Sequence, residues 1–368
     1  MINFLFFLAL TACLAGLIVQ AIRFRREADA LTPAQPRTSG WRMKEFVLNT
    51  LFQARLYRAG KARWAAHFIL FSGFMYLLIV HALHGVTANL LFDDYQPTID
   101  PFQWMRNITG VMVAAGCLAF LVRRRLRLRV NRDKTIREKG LVTVILILAL
   151  IGTGFMLETA KILSEPVFMD MVQEWSDIDD DEDLADLKAY WKEVYAFYVK
   201  DSGPVSQEQL QNGQDLNETY CLDCHSPIRS AVVSNRMAKT VYGTGPLVRA
   251  VRLDRVFYWL HFGLCLTLLV RLPFSRLFHL LLIPLASVRK PLDAGDLDKA
   301  SAFIRPTALH ACTNCGYCSE VCSVAPNFQV LGNPDILPHS KIESIRNWIM
   351  EPDSVDTRQL RAGNHACT

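Results

Sequence analysis

Residues 140–162 read GLVTVILILALIGTGFMLETAKI. A helix needs about 20 predominantly apolar residues to cross the hydrocarbon core of a bilayer, and this run has that length. Four further segments qualify, near residues 2–22, 64–91, 103–123 and 254–285. The 51% apolar content of the 368-residue chain is therefore concentrated in long runs, a distribution soluble domains avoid. The expected fold class is all-α and integral to the membrane, a five-helix transmembrane bundle.

The first run resembles a signal peptide in length. It has no basic residue ahead of it, however, and Arg23, Arg25 and Arg26 follow it. Those departures favour a retained anchor, even though Ala28-Asp29-Ala30 mimics a cleavage site. The net charge of +5 does not point to nucleic acid, because the basic residues flank apolar runs, where they set topology. Segments 23–63 and 123–139 are rich in Lys and Arg and are expected on the cytoplasmic side. Alternation then places the N-terminus, the loop 92–102 with Asp93, Asp94 and Asp100, and the segment 163–253 on the outer, periplasmic side of the inner membrane. The tail from about residue 286 falls inside. The expected organisation is residues 1–162 as spans one to four, 163–253 as an external segment, 254–285 as span five, and 286–368 as a cytoplasmic domain.

Two cysteine groups carry chemistry. Residues 221–225 read Cys-Leu-Asp-Cys-His. Two thiols at this spacing add to the two vinyl groups of one haem, and His225 becomes an axial ligand. A thioredoxin-like pair or half a zinc site fits poorly, since no βαβ pattern surrounds the motif and no second ligand pair lies in the segment. Covalent haem attachment occurs outside the cytoplasmic membrane, and charge counting independently puts Cys221, Cys224 and His225 there. Met237, His84 or a partner subunit are the candidates for the sixth ligand; Met237 reads equally well as a packing residue. An acidic run from Asp177 to Asp183 reads first as a solvated helix start. Its sharper reading is a docking patch for a basic periplasmic cytochrome c.

Residues 312–322 read Cys-Thr-Asn-Cys-Gly-Tyr-Cys-Ser-Glu-Val-Cys. The spacing of Cys312, Cys315, Cys318 and Cys322 lets one tight loop wrap three corners of a [4Fe–4S] cube. Structural zinc sites space their ligand pairs more widely. Ser323 stands where a proline normally follows the fourth cysteine. The tetrapeptide His310-Ala-Cys-Thr recurs as His365-Ala-Cys-Thr368, so Cys367 is expected to open a second cluster motif that would continue beyond Thr368.

His67, His81, His84, His261 and His279 fall in the second and fifth apolar runs. Ionisable residues inside spans are functional candidates. His67 and His81 are 14 residues apart, about 21 Å on a helix and within about 40° of one face. His261 and His279 are 18 residues apart, about 27 Å and on one face. With antiparallel spans, His67 pairs in depth with His279, and His81 with His261. That is the arrangement for two stacked bis-histidine haems b. His84, turned about 100° from His67, competes with His81 as the outer ligand.

On these residues, and on the stretch from His261-Phe-Gly-Leu through Leu272-Pro-Phe-Ser-Arg-Leu-Phe-His279 to Pro284, residues 1–290 resemble a known family. It is the five-helix cytochrome b family of the respiratory nitrate reductase gamma subunit, with its sulfite-reductase-associated and heterodisulfide-reductase relatives. The resemblance implies two haems b and a quinone site beside one of them. The histidine spacing on the second span and the inserted haem-c segment depart from the family pattern. The spacing from Cys322 to Cys367 resembles the ferredoxin-type iron–sulfur subunit of heterodisulfide reductase. That likeness implies a ferredoxin-like tail feeding a cysteine-rich catalytic subunit or fused domain. The expected function is quinone-linked respiratory electron transfer. The alternatives are an electron transfer flavoprotein:quinone oxidoreductase of the heterodisulfide-reductase-like type, and a membrane ferredoxin for redox sensing or cofactor maturation.

Overall fold

A computed structural model of the chain describes residues 2–31, 43–92, 95–130, 140–195, 197, 204–288, 309–313 and 316–366. Every regular element among them is helical, and there is no strand. Five helices are long and apolar enough to cross a membrane: Ile2–Glu27, Lys61–Ala82, Phe102–Leu126, Leu141–Leu163 and Leu253–Phe274. This is the architecture of a multi-pass helical membrane protein, and the five helices are compatible with contact to lipid.

Two spans differ from expectation. The second runs as α-helix over Lys61–Tyr76 and continues as a π-helical stretch, Leu77–Ala82. It then ends in a turn, so His81 sits in the π stretch and His84 lies beyond the span. A π turn advances fewer degrees per residue than an α turn. The uniform 100° step assumed for His67 and His81 therefore fails in the last turn. The fifth span ends sooner than residue 285. Its helix covers Leu253–Arg271, two 3-10 turns follow at Leu272–Phe274 and Arg276–Phe278, and a separate helix begins at His279. Pro273 has no N–H to continue the ladder. Ser275 turns to extended backbone and its hydroxyl caps the next turn by accepting from the Leu277 N–H at 3.2 Å. His261 and His279 consequently share neither one helix nor the common face that their spacing implied.

The chain forms two compact units. Unit one comprises residues 1–64, 123–144 and 266–368. Here Gly16 of the first span meets Pro273 and Phe274 of the bend, where an added Cβ would lie 2.8–2.9 Å from both. Gln20 Nε2 donates to the Pro273 carbonyl at 2.9 Å, satisfying an acceptor that the bend releases. Gly140, with φ of +95°, lies under the Arg276 side chain. The tail packs helix Pro338–Met350 and helix Thr357–His365 around buried Asp335. Asp335 accepts from Ser344 Oγ at 2.6 Å and Gln359 Nε2 at 3.1 Å.

Unit two comprises residues 65–122 and 145–265. Spans two and three approach closely at small residues, as helices do in lipid where packing replaces the hydrophobic drive. A Cβ on Gly116 would sit 2.7 Å from Leu70 Cβ and 3.1 Å from the Ala66 carbonyl; on Gly73 it would sit 2.9 Å from the Thr109 carbonyl. The segment after span four folds as helices Glu165–Trp175, Asp181–Tyr195, Gln207–Tyr220, Val232–Thr240 and Gly245–Val251. Phe168, Val172, Leu187, Trp191, Tyr195 and Phe197 form their core, together with Cys221.

Candidate functional site

The Cys-x-x-Cys-His motif follows the helix Gln207–Tyr220, whose start is fixed by a reciprocal Ser206–Gln209 capping box. Cys221 caps its end, donating its N–H to the Asn217 carbonyl at 2.9 Å. The chain then turns tightly, and the N–H groups of Cys224 and His225 both donate to the Cys221 carbonyl, at 3.2 and 2.9 Å. Cys221 is buried in the core and Cys224 is exposed. Burial, with a smaller contribution from Cys224, pushes the Cys221 thiol up to about 11. The His225 ring lies edge-on to Trp191 at 5.9 Å, and burial lowers its pKa, keeping the imidazole neutral. Trp191 Nε1 is held by Asn217 Oδ1 at 2.9 Å. The exit from the motif is tied to the loop between spans two and three. Ser226 N–H donates to the Thr98 carbonyl at 3.0 Å, and the Asp100 N–H donates to Ser226 Oγ at 2.8 Å. Met237 is half-buried on the Val232–Thr240 helix.

Of the intramembrane histidines, His81 and His261 both belong to unit two, His81 in the π stretch that ends the second span and His261 in the fifth span. His261 packs on the fourth span. Its Nδ1 lies 3.2 Å from both the Leu150 carbonyl and Thr153 Oγ1. Thr153 directs its own proton to the Ala149 carbonyl at 2.9 Å. These acceptors assign the Nδ1–H tautomer, so Nε2 presents the lone pair. Gly154 leaves room for the ring, since a Cβ there would approach His261 Cε1 to 3.3 Å. His84 is exposed, bonds through Nδ1 to the His81 carbonyl at 2.9 Å, and stacks on Tyr95 at 5.9 Å. His67 faces Phe120 edge-on at 6.1 Å. His279, in unit one, bonds through Nδ1 to the Arg276 carbonyl.

A polar cluster in unit two was missed from sequence. Arg106 of the third span pairs with Glu158 of the fourth and donates to the Pro97 carbonyl at 2.8 Å. Glu158 also accepts from Asn107 Nδ2 at 3.0 Å and Ser234 Oγ at 2.6 Å. Asn107, 1% exposed, accepts from the Val233 N–H at 3.1 Å. The signal was available: two opposite charges inside runs read as spans.

In the tail, Cys312 and Cys322 are half-buried and Cys318 is exposed; Cys315 and Cys367 lie outside the described residues. Gly316, at φ of +73°, turns the chain inside the motif, a conformation only glycine takes freely. No three His, Cys, Asp or Glu side chains among the described residues converge as a metal site. Two contacts that the sequence does not announce hold this loop to span ends. His310 Nε2 meets both carboxylate oxygens of Glu27 at 2.8 and 2.7 Å, with Glu27 only 1% exposed. The Arg63 guanidinium lies 4.2 Å over the Tyr317 ring. Cys312, His279 and His310 line one cavity of about 420 Å³.

Comparison with protein-family models, with curated proteins and with solved structures finds no match.

Proposed function

We propose that this chain carries electrons across a membrane, between a cytoplasmic iron–sulfur module, two haems b with a quinone, and a periplasmic haem c. The observation that supports it most is the His261 ring in the fifth span, with its Nδ1 committed to the Leu150 carbonyl and Thr153. Histidines that bind metal commonly donate their other ring nitrogen to a carbonyl in this way, which fixes the tautomer and ring orientation. Haem iron and iron–sulfur clusters supply one-electron centres when bound, and quinone couples such electrons to protons.

The chain's own residues would divide the work as follows. His81 and His261 would hold the outer haem b, and the sequence spacing assigns His67 and His279 to the inner one. The turn at Cys221, Cys224 and His225 suits a covalent haem, since both cysteines and the histidine lie within one turn closed on the Cys221 carbonyl. Trp191 and the Thr98–Asp100 loop steady that turn. Cys312, Cys315, Cys318 and Cys322 hold a [4Fe–4S] cluster, with Cys367 serving a second. Glu27 and Arg63 keep the cluster loop against the ends of the first two spans.

The test is haem analysis of the purified full-length chain. A haem that stays with the polypeptide on denaturing electrophoresis, and two extractable haems b by pyridine haemochrome, are expected. Cys221→Ser with Cys224→Ser should remove the first and spare the second. Absence of haem b would refute the reading and favour a membrane ferredoxin.

A further inference from the structure

The loop between spans two and three grips the backbone beside two of the histidines discussed above, and these grips lie inside unit two. At one end, the Tyr95 hydroxyl donates to the Val80 carbonyl at 2.8 Å. Val80 stands in the π stretch that closes the second span, where the last carbonyls have no partner within the helix. That carbonyl belongs to the peptide group joining Val80 to His81. At the other end, Thr98 holds both peptide groups that flank His225. Its hydroxyl donates to the Cys224 carbonyl, and its own carbonyl accepts from the Ser226 N–H at 3.0 Å. Only Gln96 and Pro97 separate the residue that grips beside His81 from the residue that grips beside His225.

The loop between the two grips is itself held. Arg106 of span three donates to the Pro97 carbonyl at 2.8 Å and is fixed in turn by Glu158. The Tyr95 ring packs edge-on against Phe102 at 4.8 Å and lies against the His84 ring at 5.9 Å. Past Thr98, the Asp100 N–H donates to Ser226 Oγ at 2.8 Å, and the Asp100 carboxylate accepts from Ser230 Oγ. Groups just outside a metal's ligands orient those ligands and tune the metal. Here one short segment reaches the peptide groups of two candidate ligands at once. We propose that Tyr95 and Thr98 are positioning residues for electron passage, setting His81 and the Cys-x-x-Cys-His turn at one fixed separation and orientation. This rests on the reading that His81 serves a haem b and that Cys221, Cys224 and His225 serve a haem c. With a quinol as reductant, each electron that passes oxidises the haem b iron and reduces the haem c iron. The quinol gives up two electrons and two protons in becoming quinone, and no bond in the loop forms or breaks.

The experiment uses the purified full-length protein and a short-chain quinol. Haem staining after denaturing electrophoresis first establishes the covalent haem. Stopped-flow absorbance then follows haem b and haem c reduction at their separate wavelengths. Tyr95→Phe removes the oxygen that reaches Val80, and Thr98→Val removes the one that reaches Cys224. In each variant haem c reduction should slow about tenfold while haem b reduction keeps its parental rate. Thr98→Ser, which keeps the hydroxyl, should restore the parental ratio. Tyr95→Phe leaves the Cys-x-x-Cys-His turn untouched, so it carries the test where Thr98→Val fails to fold. Parental rates for both haems in Tyr95→Phe and Thr98→Val would overturn the proposal. So would equal slowing of both haems, which would assign the loop to the fold alone. A parent chain without covalent haem would remove the underlying reading and the proposal together, and the gel separates that result from the other two.

Discussion

His261 commits one ring nitrogen to the fourth span, through Leu150 and Thr153, and this gives the residue its sharpest test. Thr153→Val removes one of two acceptors and leaves the Leu150 carbonyl in place. The midpoint potential of one haem b should shift while the other stays, and retention of the shifted haem should fall by about tenfold. Redox titration of the variant beside the parent reads both. His81→Ala and His261→Ala should lose the same haem; His84→Ala should keep both. A loss with His84→Ala and not with His81→Ala would move the outer ligand to His84. The histidines and cysteines stand out in sequence because these residue types can coordinate metals and their spacing is countable. Thr153, Glu27 and Asn107 were not, because their role depends on a neighbour more than 70 residues away.

At the level of elements, helix identity was plain from apolar run length, and helix ends were not. Pro273 is visible in sequence, yet whether a proline kinks a span or ends it depends on capping, here by Ser275, and on an outside donor, here Gln20. The π stretch Leu77–Ala82 has no proline or glycine to announce it. Span pairing rests on small residues. Gly116→Leu would drive a side chain into Leu70 and the Ala66 carbonyl, and should destabilise by about 1–3 kcal/mol. Gly85→Ala, with nothing within 4 Å of the new methyl, serves as the neutral control. Thermal unfolding in detergent compares them. The Arg106–Glu158 pair joins spans three and four to the Val232–Thr240 helix through Asn107 and Ser234. Glu158→Gln leaves Arg106 half-buried without its counter-charge and should lower stability by about 3 kcal/mol. A variant with an unchanged unfolding midpoint would show that the pair contributes nothing.

For the whole molecule, the alternation of basic loops and apolar runs predicts that the segment 163–253 and the cysteine tail lie on opposite sides of the membrane. Protease added to sealed right-side-out vesicles should cut near the exposed run Asp179–Asp183 and spare the tail. Inverted vesicles should give the reverse. Cleavage of both segments from one side would refute the charge-derived topology.

The break between Arg271 and His279 has a consequence for how such a protein can change over time. A single rigid rod through both histidines would pass any rotation at one on to the other, so that retuning one centre would detune its neighbour. The turns at Leu272–Phe274 and Arg276–Phe278 absorb such rotation instead. Under the proposed relay, each histidine would then be free to drift under its own selection, and a lineage could adjust one end to a new donor while conserving the other.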